Sequence, residues 1–289
     1  MTSGDEIRRE LETVLGEPIR NIRRVGGGCI AEAGCIETKN GWYFAKWGGP
    51  SVARTFEAEA EGLMALADAA SGIRIPSVHA VRRLQGGRGV LLMEWIDEEP
   101  LRESAWKELG RGLAEIHAAA GSGFGFEHDN FIGATPQSNR KRDSWPQFFR
   151  EERLVPQAAL ARSLGRWDSA WNESFDRLCR VLDELLPDRP WASLVHGDLW
   201  GGNVLSDRAG RPVLIDPAVY RGHSEVDIGM SRLFGSFPGA FYAAYDEARP
   251  PDPGRNEREP IYNLYHLINH LNLFGGSYAA SVGSVLARF

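Results

Sequence analysis

Sulfur is scarce in this chain. Of its 289 residues only three are cysteine (Cys29, Cys35 and Cys179) and four are methionine. An odd, sparse cysteine set without a C-x-x-C pair builds neither a disulfide framework nor a cysteine zinc site, and it suits a reducing, cytoplasmic compartment. Long apolar runs are lacking too: none approaches the ~20 residues needed to cross a bilayer, and the mixed-charge start "MTSGDEIRRE" is no secretory signal. Positive charge is not in surplus. With 33 Lys and Arg against 39 Asp and Glu the formal net charge is −6, which argues against a nucleic-acid or membrane-surface partner. Repeats, low-complexity tracts and the G-x-S-x-G elbow of a serine hydrolase are missing. His266 and His270 in "HLINH" have the spacing of a zinc pair but lack the glutamate of H-E-x-x-H. What remains is a globular composition, 43% hydrophobic and 25% charged, long enough to bury one large core or two modest ones.

The two ends of the chain differ in pattern. Residues 1–95 read as strands around one helix. "IRNIRRVGGG" leads into "CIAEAGCIET", the Asn-Gly of "KNG" turns a hairpin, and "WYFAKW" returns. The helix follows in "SVARTFEAEAEGLMALADAASG", with Ser51 as its cap and Phe56, Ala60, Leu63, Met64 and Ala67 as its apolar stripe. "IRIPSVHAV" and "GVLLMEWID" read as two more strands. From residue 96 to 289 helices dominate. "AWKELGRGLAEIHAAA" precedes an irregular stretch over 121–146, and further helices are expected in "WPQFFREERLVPQAALA", around 167–186, and in "IYNLYHLINHLNLF", which is apolar nearly all round. The expected class is therefore α+β in two lobes: a small β-rich lobe over 1–95 and a larger helical lobe over 96–289, with a ligand cleft between them.

Chemistry concentrates in "LVHGDLWGGNVLSD", residues 194–207, where His196-Gly-Asp198 is followed five residues after the aspartate by Asn203. A third polar group, Asp216, ends the β-like run "VLID". One carboxylate to accept a proton, with an asparagine and an aspartate to hold Mg²⁺, is the set that phosphoryl transfer requires. The small lobe supplies the complement. Gly26, Gly27 and Gly28 in "VGGGC" let backbone N–H groups approach phosphates, and Lys46 at the end of "WYFAK" can place an ammonium on them. A carboxylate on the next helix would hold that lysine, but Glu57 and Glu59 flank the apolar stripe at equal angles and helical spacing does not choose between them. Taken singly, a triple glycine is a hairpin, a strand-end lysine is surface, and His-x-Asp is a chance match. Their order along the chain is what carries the phosphotransferase reading.

That order, with "FEAEAEGL", "NFIG", "LVHGDLWGGNV", "IDPAVYRGHSEVDIGMSRLFG" and "IYNLYHLINHLNLFG", resembles the fructosamine kinase (ketosamine-3-kinase) family of the protein-kinase-like superfamily. The resemblance spans nearly the whole chain. It implies Asp198 as catalytic base, Asn203 and Asp216 as Mg²⁺ ligands, Lys46 as the phosphate-binding lysine and Glu59 as its partner. Met93, Glu94, Trp95 and Ile96 would form the hinge strand that reads adenine through backbone groups. The implied reaction is ATP-dependent phosphorylation of the C3 hydroxyl of a ketosamine or glycated amine, giving a 3-phosphate that breaks down and frees the amine. The chain departs from protein kinases in two places. "GGGCIAEAG" is not their G-x-G-x-x-G, and Asp216 stands in Asp-Pro rather than Asp-Phe-Gly with no long activation segment after it, so a protein substrate of the usual kinase sort is not expected.

Beside the catalytic loop, Trp200 can stack on the sugar or its amine carrier, and Glu225 or Asp227 can bind a cationic amine or brace the loop. Cys29, directly after the glycines, is either a small filler or, as in some members of the resembling family, a redox-responsive thiol that links a homodimer; otherwise a monomer is expected. Two alternatives stay open: another small-molecule phosphotransferase of aminoglycoside- or choline-kinase type, and a non-catalytic ATP-binding regulator.

Overall fold

The computed structural model describes residues 3–26, 31–119 and 121–289. The chain opens with a helix that the reading of one helix before residue 95 omits. Helix α1 (Ser3–Leu15) precedes strands β1 (Asn21–Arg24), β2 (Glu32–Glu37) and β3 (Trp42–Gly48). Its apolar face is short and sits in a charged run, so its period is hard to see in "GDEIRRELETVL". Ile7 and Leu11, one turn apart, are nonetheless fully buried against Ile36, Ala45, Trp47 and Leu92 on the outer face of the sheet. Each such side chain contributes about 1.5–3 kcal/mol when buried.

Helix α2 (Pro50–Ala69), strand β4 (Val78–Arg83) and strand β5 (Gly89–Glu94) complete the small lobe. The sheet is antiparallel throughout, in the order β1-β2-β3-β5-β4. The cap of α2 is Gly49 rather than Ser51, because Pro50 takes the first helical position, where its missing N–H costs nothing. The stripe also differs at its end. Phe56, Ala60 and Leu63 are buried as expected, but it continues to Leu66 while Met64 and Ala67 face solvent. Helix α2 packs tightly on the sheet at Gly89, where a Cβ would lie 2.6 Å from that of Ala53.

The larger lobe begins with α3 (Glu103–Ala118), followed by a hairpin of β6 (Asn130–Ile132) and β7 (Thr135–Gln137) inside the stretch expected to be irregular. Helix α4 (Trp145–Phe148) runs through a π-helical turn (Phe149–Leu154) into α5 (Val155–Ser163), and α6 (Asn172–Leu185) follows. Four short strands come next: β8 (Ala192–Val195), β9 (Val204–Ser206), β10 (Pro212–Leu214) and β11 (Tyr220–His223). Strand β8 pairs with β11 and β9 with β10, both antiparallel. The chain ends in α7 (Glu225–Leu233), α8 (Gly239–Ala248), α9 (Arg255–Phe274) and α10 (Ala279–Leu286). As its composition requires, α9 is buried on nearly every side from Ile261 to Asn269. Helices α3 and α8 come close because position 110 is glycine: a Cβ there would stand 2.4 Å from the Phe241 carbonyl oxygen. The result is the expected two-lobed α+β architecture. Among the described residues no helix is long and apolar enough to cross a membrane.

Candidate active site

Strand alternation aims the first functional group. In β3, Ala45 and Trp47 point to the outer core under α1, which sends Phe44 and Lys46 to the opposite face, toward α2. There the Lys46 ammonium donates to Glu59 Oε1 at 2.8 Å and to Asp216 Oδ1 at 2.6 Å. Two residues 170 positions apart in sequence therefore meet where the lobes join. The tie between the two glutamates is broken by position: Glu57 lies in solvent, paired with Arg83 at 2.9 Å. Burial opposes the charge on Lys46, but Glu59 and Asp216 outweigh it and its pKa is raised. Burial also raises the Glu59 carboxyl, against the pull of Lys46. Two carboxylates thus share one ammonium, a negative surplus that suits an added cation.

Asp216 is the one non-glycine residue with positive φ (53°) among those described. The left-handed region is sparsely used by side chains other than Asn and Asp, and here it turns the carboxylate out of the end of β10 toward Lys46. The next carboxylate, Asp198, follows Gly197, whose φ is +80° and whose missing Cβ would fall 2.1 Å from the Ala218 carbonyl oxygen, so only glycine fits. Asn203 Nδ2 donates to the Asp198 carbonyl oxygen at 2.8 Å and to its Oδ2 at 3.2 Å. That fixes the amide so that its oxygen is the atom left for a cation. Burial pushes the Asp198 carboxyl up to about 7; the Asn203 hydrogen bond opposes this, and the charges of Asp216 and Asp227 reinforce it.

The loop is held from behind. Asp227 Oδ2 accepts the His196 backbone N–H at 2.7 Å and Oδ1 accepts that of Gly197 at 2.9 Å. Oδ2 also lies 3.0 Å from His117 Nε2, and His117 Nδ1 lies 2.8 Å from the Tyr245 hydroxyl. A carboxylate only accepts, so Nε2 carries the proton and Nδ1 accepts from the tyrosine. Burial drives the His117 pKa down and keeps the ring neutral. Burial would raise the Asp227 carboxyl, but its contacts with His117 and the loop outweigh it and the pKa is lowered. His196 in turn bridges the loop bearing Asp198 and the segment bearing Asp216, with Nε2 at 3.0 Å from the Ile215 carbonyl oxygen and Nδ1 accepting the Asp198 N–H at 3.3 Å. His117 escaped the sequence reading; a lone histidine on the apolar side of "GLAEIHAAA" was its one signal.

Other expected site residues fall in different places. Both oxygens of Asp227 are spent on the loop and His117, and both oxygens of Glu225 accept Arg258 at 2.7 Å. Of the two readings the sequence left open for these carboxylates, the geometry of Asp227 is that of the loop brace, while Glu225 is a buried ion-pair partner of Arg258. Trp200 is 38% exposed, and its indole lies along Gly202, where a Cβ would come within 2.3 Å of the ring. Met93 and Ile96 are buried at the end of β5, while Trp95 tilts against Phe44 and donates from Nε1 to Asp97 Oδ1 at 3.0 Å. The Glu94 side chain pairs with Arg74. Gly26 has open space where a side chain would stand. Gly27, Gly28 and Cys29 lie outside the described residues.

This geometry has relatives. The model of the fructosamine kinase family matches residues 4–289. A probable ketoamine kinase of Synechocystis is 41% identical over 286 residues, covering 98% of this chain and 95% of that protein. The chloroplastic protein-ribulosamine 3-kinase of Oryza sativa subsp. indica is 42% identical over 272 residues, covering 93% of this chain and 78% of that one. Among solved structures, a protein assigned as a fructosamine-3-kinase from Thermobifida fusca superposes with a TM-score of 0.89 at 30% identity, covering 98% of each chain. The aminoglycoside phosphotransferase APH(4)-Ia, at 17% identity with a TM-score of 0.67 over 98% of this chain and 96% of that one, shares the fold.

Proposed function

The chain belongs to the fructosamine kinase family, whose members are ATP-dependent phosphotransferases acting on a hydroxyl, and from that premise we propose that it phosphorylates the C3 hydroxyl of ketosamines. Residues 1–95 would hold the nucleotide, and residues 96–289 would carry the catalytic groups and the small glycated-amine acceptor. One observation supports the reading above all. Lys46, Glu59 and Asp216 form a single ion-pair cluster where the lobes meet, and β9 and β10 lead from the Asp198–Asn203 pair to the segment bearing Asp216.

In the proposed reaction the Asp198 carboxylate accepts the proton of the C3 hydroxyl as its oxygen attacks the γ-phosphorus. The bond from that phosphorus to the β,γ-bridging oxygen breaks, and ADP leaves. Lys46, steered by Glu59, meets the phosphates with a full positive charge. The Asn203 amide oxygen and the Asp216 carboxylate are hard oxygen donors of the kind Mg²⁺ prefers, and they would hold that ion. Bound there, it would neutralise charge on the transferring phosphates. Much of the acceleration would come from positioning and fixed electrostatics. The hinge at Met93, Glu94, Trp95 and Ile96 would read adenine, and the exposed Trp200 ring offers a stacking surface for sugar or carrier amine.

The test is Asp198→Asn in a coupled ADP-release assay across ribulose-, erythrulose- and fructose-derived amines. The expected outcome is retained ATP binding with turnover lost by at least about 10²-fold, as for removal of a general base. Wild-type turnover in a folded Asp198→Asn variant would refute the assignment, and turnover of aminoglycosides or amino alcohols in place of ketosamines would refute the substrate class.

A further inference from the structure

Between α2 and β4 lies a basic residue that the mechanism does not use. Arg74 joins the second lobe through its backbone: its N–H donates to the Pro212 carbonyl at 2.9 Å, and its carbonyl accepts the Leu214 N–H at 3.1 Å. It thereby runs as a parallel bridge beside β10, the strand that leads to Asp216. Its guanidinium forks in two directions. Nη1 donates to Asp207 Oδ2 at 2.8 Å, in the turn between β9 and β10, and Nη2 pairs with Glu94 Oε1 at the end of β5. We propose that Arg74 is a positioning residue that sets the adenine-reading hinge against the strand that leads to Asp216, so that the base and the phosphates of one nucleotide meet their partners in register. The proposal rests on the nucleotide reading given above.

The two arms of the fork are unequal. Asp207 has other donors for both oxygens: the Ala209 and Arg211 N–H groups at 2.9 and 3.0 Å on Oδ1, and Arg211 Nε at 2.9 Å on Oδ2. The turn therefore stays satisfied without Arg74. Among the described residues, Glu94 has, besides Arg74, only the Ser77 N–H at 3.2 Å among its side-chain bonds. Removing the guanidinium consequently frees the hinge and spares the catalytic loop. Lysine is a poor substitute, because a single ammonium does not reproduce the planar two-way fork.

The loss of one charge-assisted pair at Arg74→Met is expected to raise the Kd for ADP and the KM for ATP about tenfold, with the acceptor KM within about twofold of wild type. Glu94→Gln should act in the same direction but less, Arg74→Lys should fall between wild type and Arg74→Met, and the Arg74→Met/Glu94→Gln double variant should be no worse than Arg74→Met alone. Calorimetric ADP titration and steady-state kinetics on the full chain read all four. Wild-type ADP affinity in folded Arg74→Met and Glu94→Gln would overturn the proposal while leaving the nucleotide site intact. So would a loss shared equally between ATP and the acceptor, the mark of general loosening. A wild-type chain that does not bind ADP would instead overturn the nucleotide reading itself.

Discussion

Replacing Asp227 by asparagine keeps the shape of the side chain and changes only what its atoms can do. The carboxylate now accepts three hydrogen bonds, from the His196 and Gly197 backbone N–H groups at 2.7 and 2.9 Å and from His117 at 3.0 Å. An asparagine has one accepting oxygen. Whichever way the amide is turned, its NH₂ faces at least one backbone N–H in a site only 1% exposed. The loss has two parts: about 1.5–3 kcal/mol for a hydrogen bond to a charged acceptor, and about 1–3 kcal/mol for the donor left unpaired. The sum is about 2.5–6 kcal/mol, a large share of the 5–15 kcal/mol that holds an ordinary domain together. With an unfolding entropy near 2.1 cal/mol/K per residue, it lowers Tm by about 4–10 °C. Activity should suffer more than stability. The two N–H groups immediately precede Asp198, and a displacement near 1 Å of a reacting group costs on the order of 10²-fold in rate. Scanning calorimetry and turnover at a temperature where the variant is fully folded check the two effects separately. An Asp227→Asn protein that melts within about 1 °C of wild type and turns over normally would refute the bracing role.

Two more outcomes follow from packing and burial. Gly110→Ala should cost about 1–3 kcal/mol, because its methyl would stand 2.4 Å from the Phe241 carbonyl and must push α3 from α8; a thermal melt indistinguishable from wild type would show that the helices are free to separate. Acid should destabilise the fold through two buried histidines, His223 and His266, each pushed down to about 3, in both cases first by burial. The second cause is Arg258 for His223 and His270 for His266. Below the unfolded pKa near 6.5 the denatured chain takes up protons that the native chain refuses, so stability is full above that pH and falls toward pH 3, by about 2 kcal/mol per histidine at pH 5. Urea titrations from pH 7 to 5 read this loss, and a slope unchanged by His266→Gln would show that His266 is not one of its sources.

Patterns that repeat at short range were legible before any coordinates. The alternation of "WYFAKW" places Lys46 opposite the outer core, the apolar surround of "YNLYHLINHL" demands burial, and the His-Gly-Asp with its asparagine five residues on keeps all its groups within one loop. Helix α1 was missed because two buried residues, Ile7 and Leu11, carry it through a charged segment. Ser51 failed as a cap because Pro50 claims the first turn. For Glu225 and Asp227 the sequence left amine binding and loop bracing both open, because a carboxylate near such a loop looks the same in sequence whether it faces a ligand or a backbone.

Taken alone, the sequence determined the class of fold, the phosphotransferase chemistry and the order of the groups proposed to perform it, because strand alternation, turns and loop spacing are local properties of the chain. Only the tertiary structure decided partners. It matched Lys46 with Glu59 and Asp216, turned Asp227 and His117 into the support of the loop bearing Asp198, and set Arg74 between Glu94 and Asp207. Each of these pairings joins residues whose neighbourhood exists only after the helices and strands have packed, and the proximity that gives each its strength exists only then.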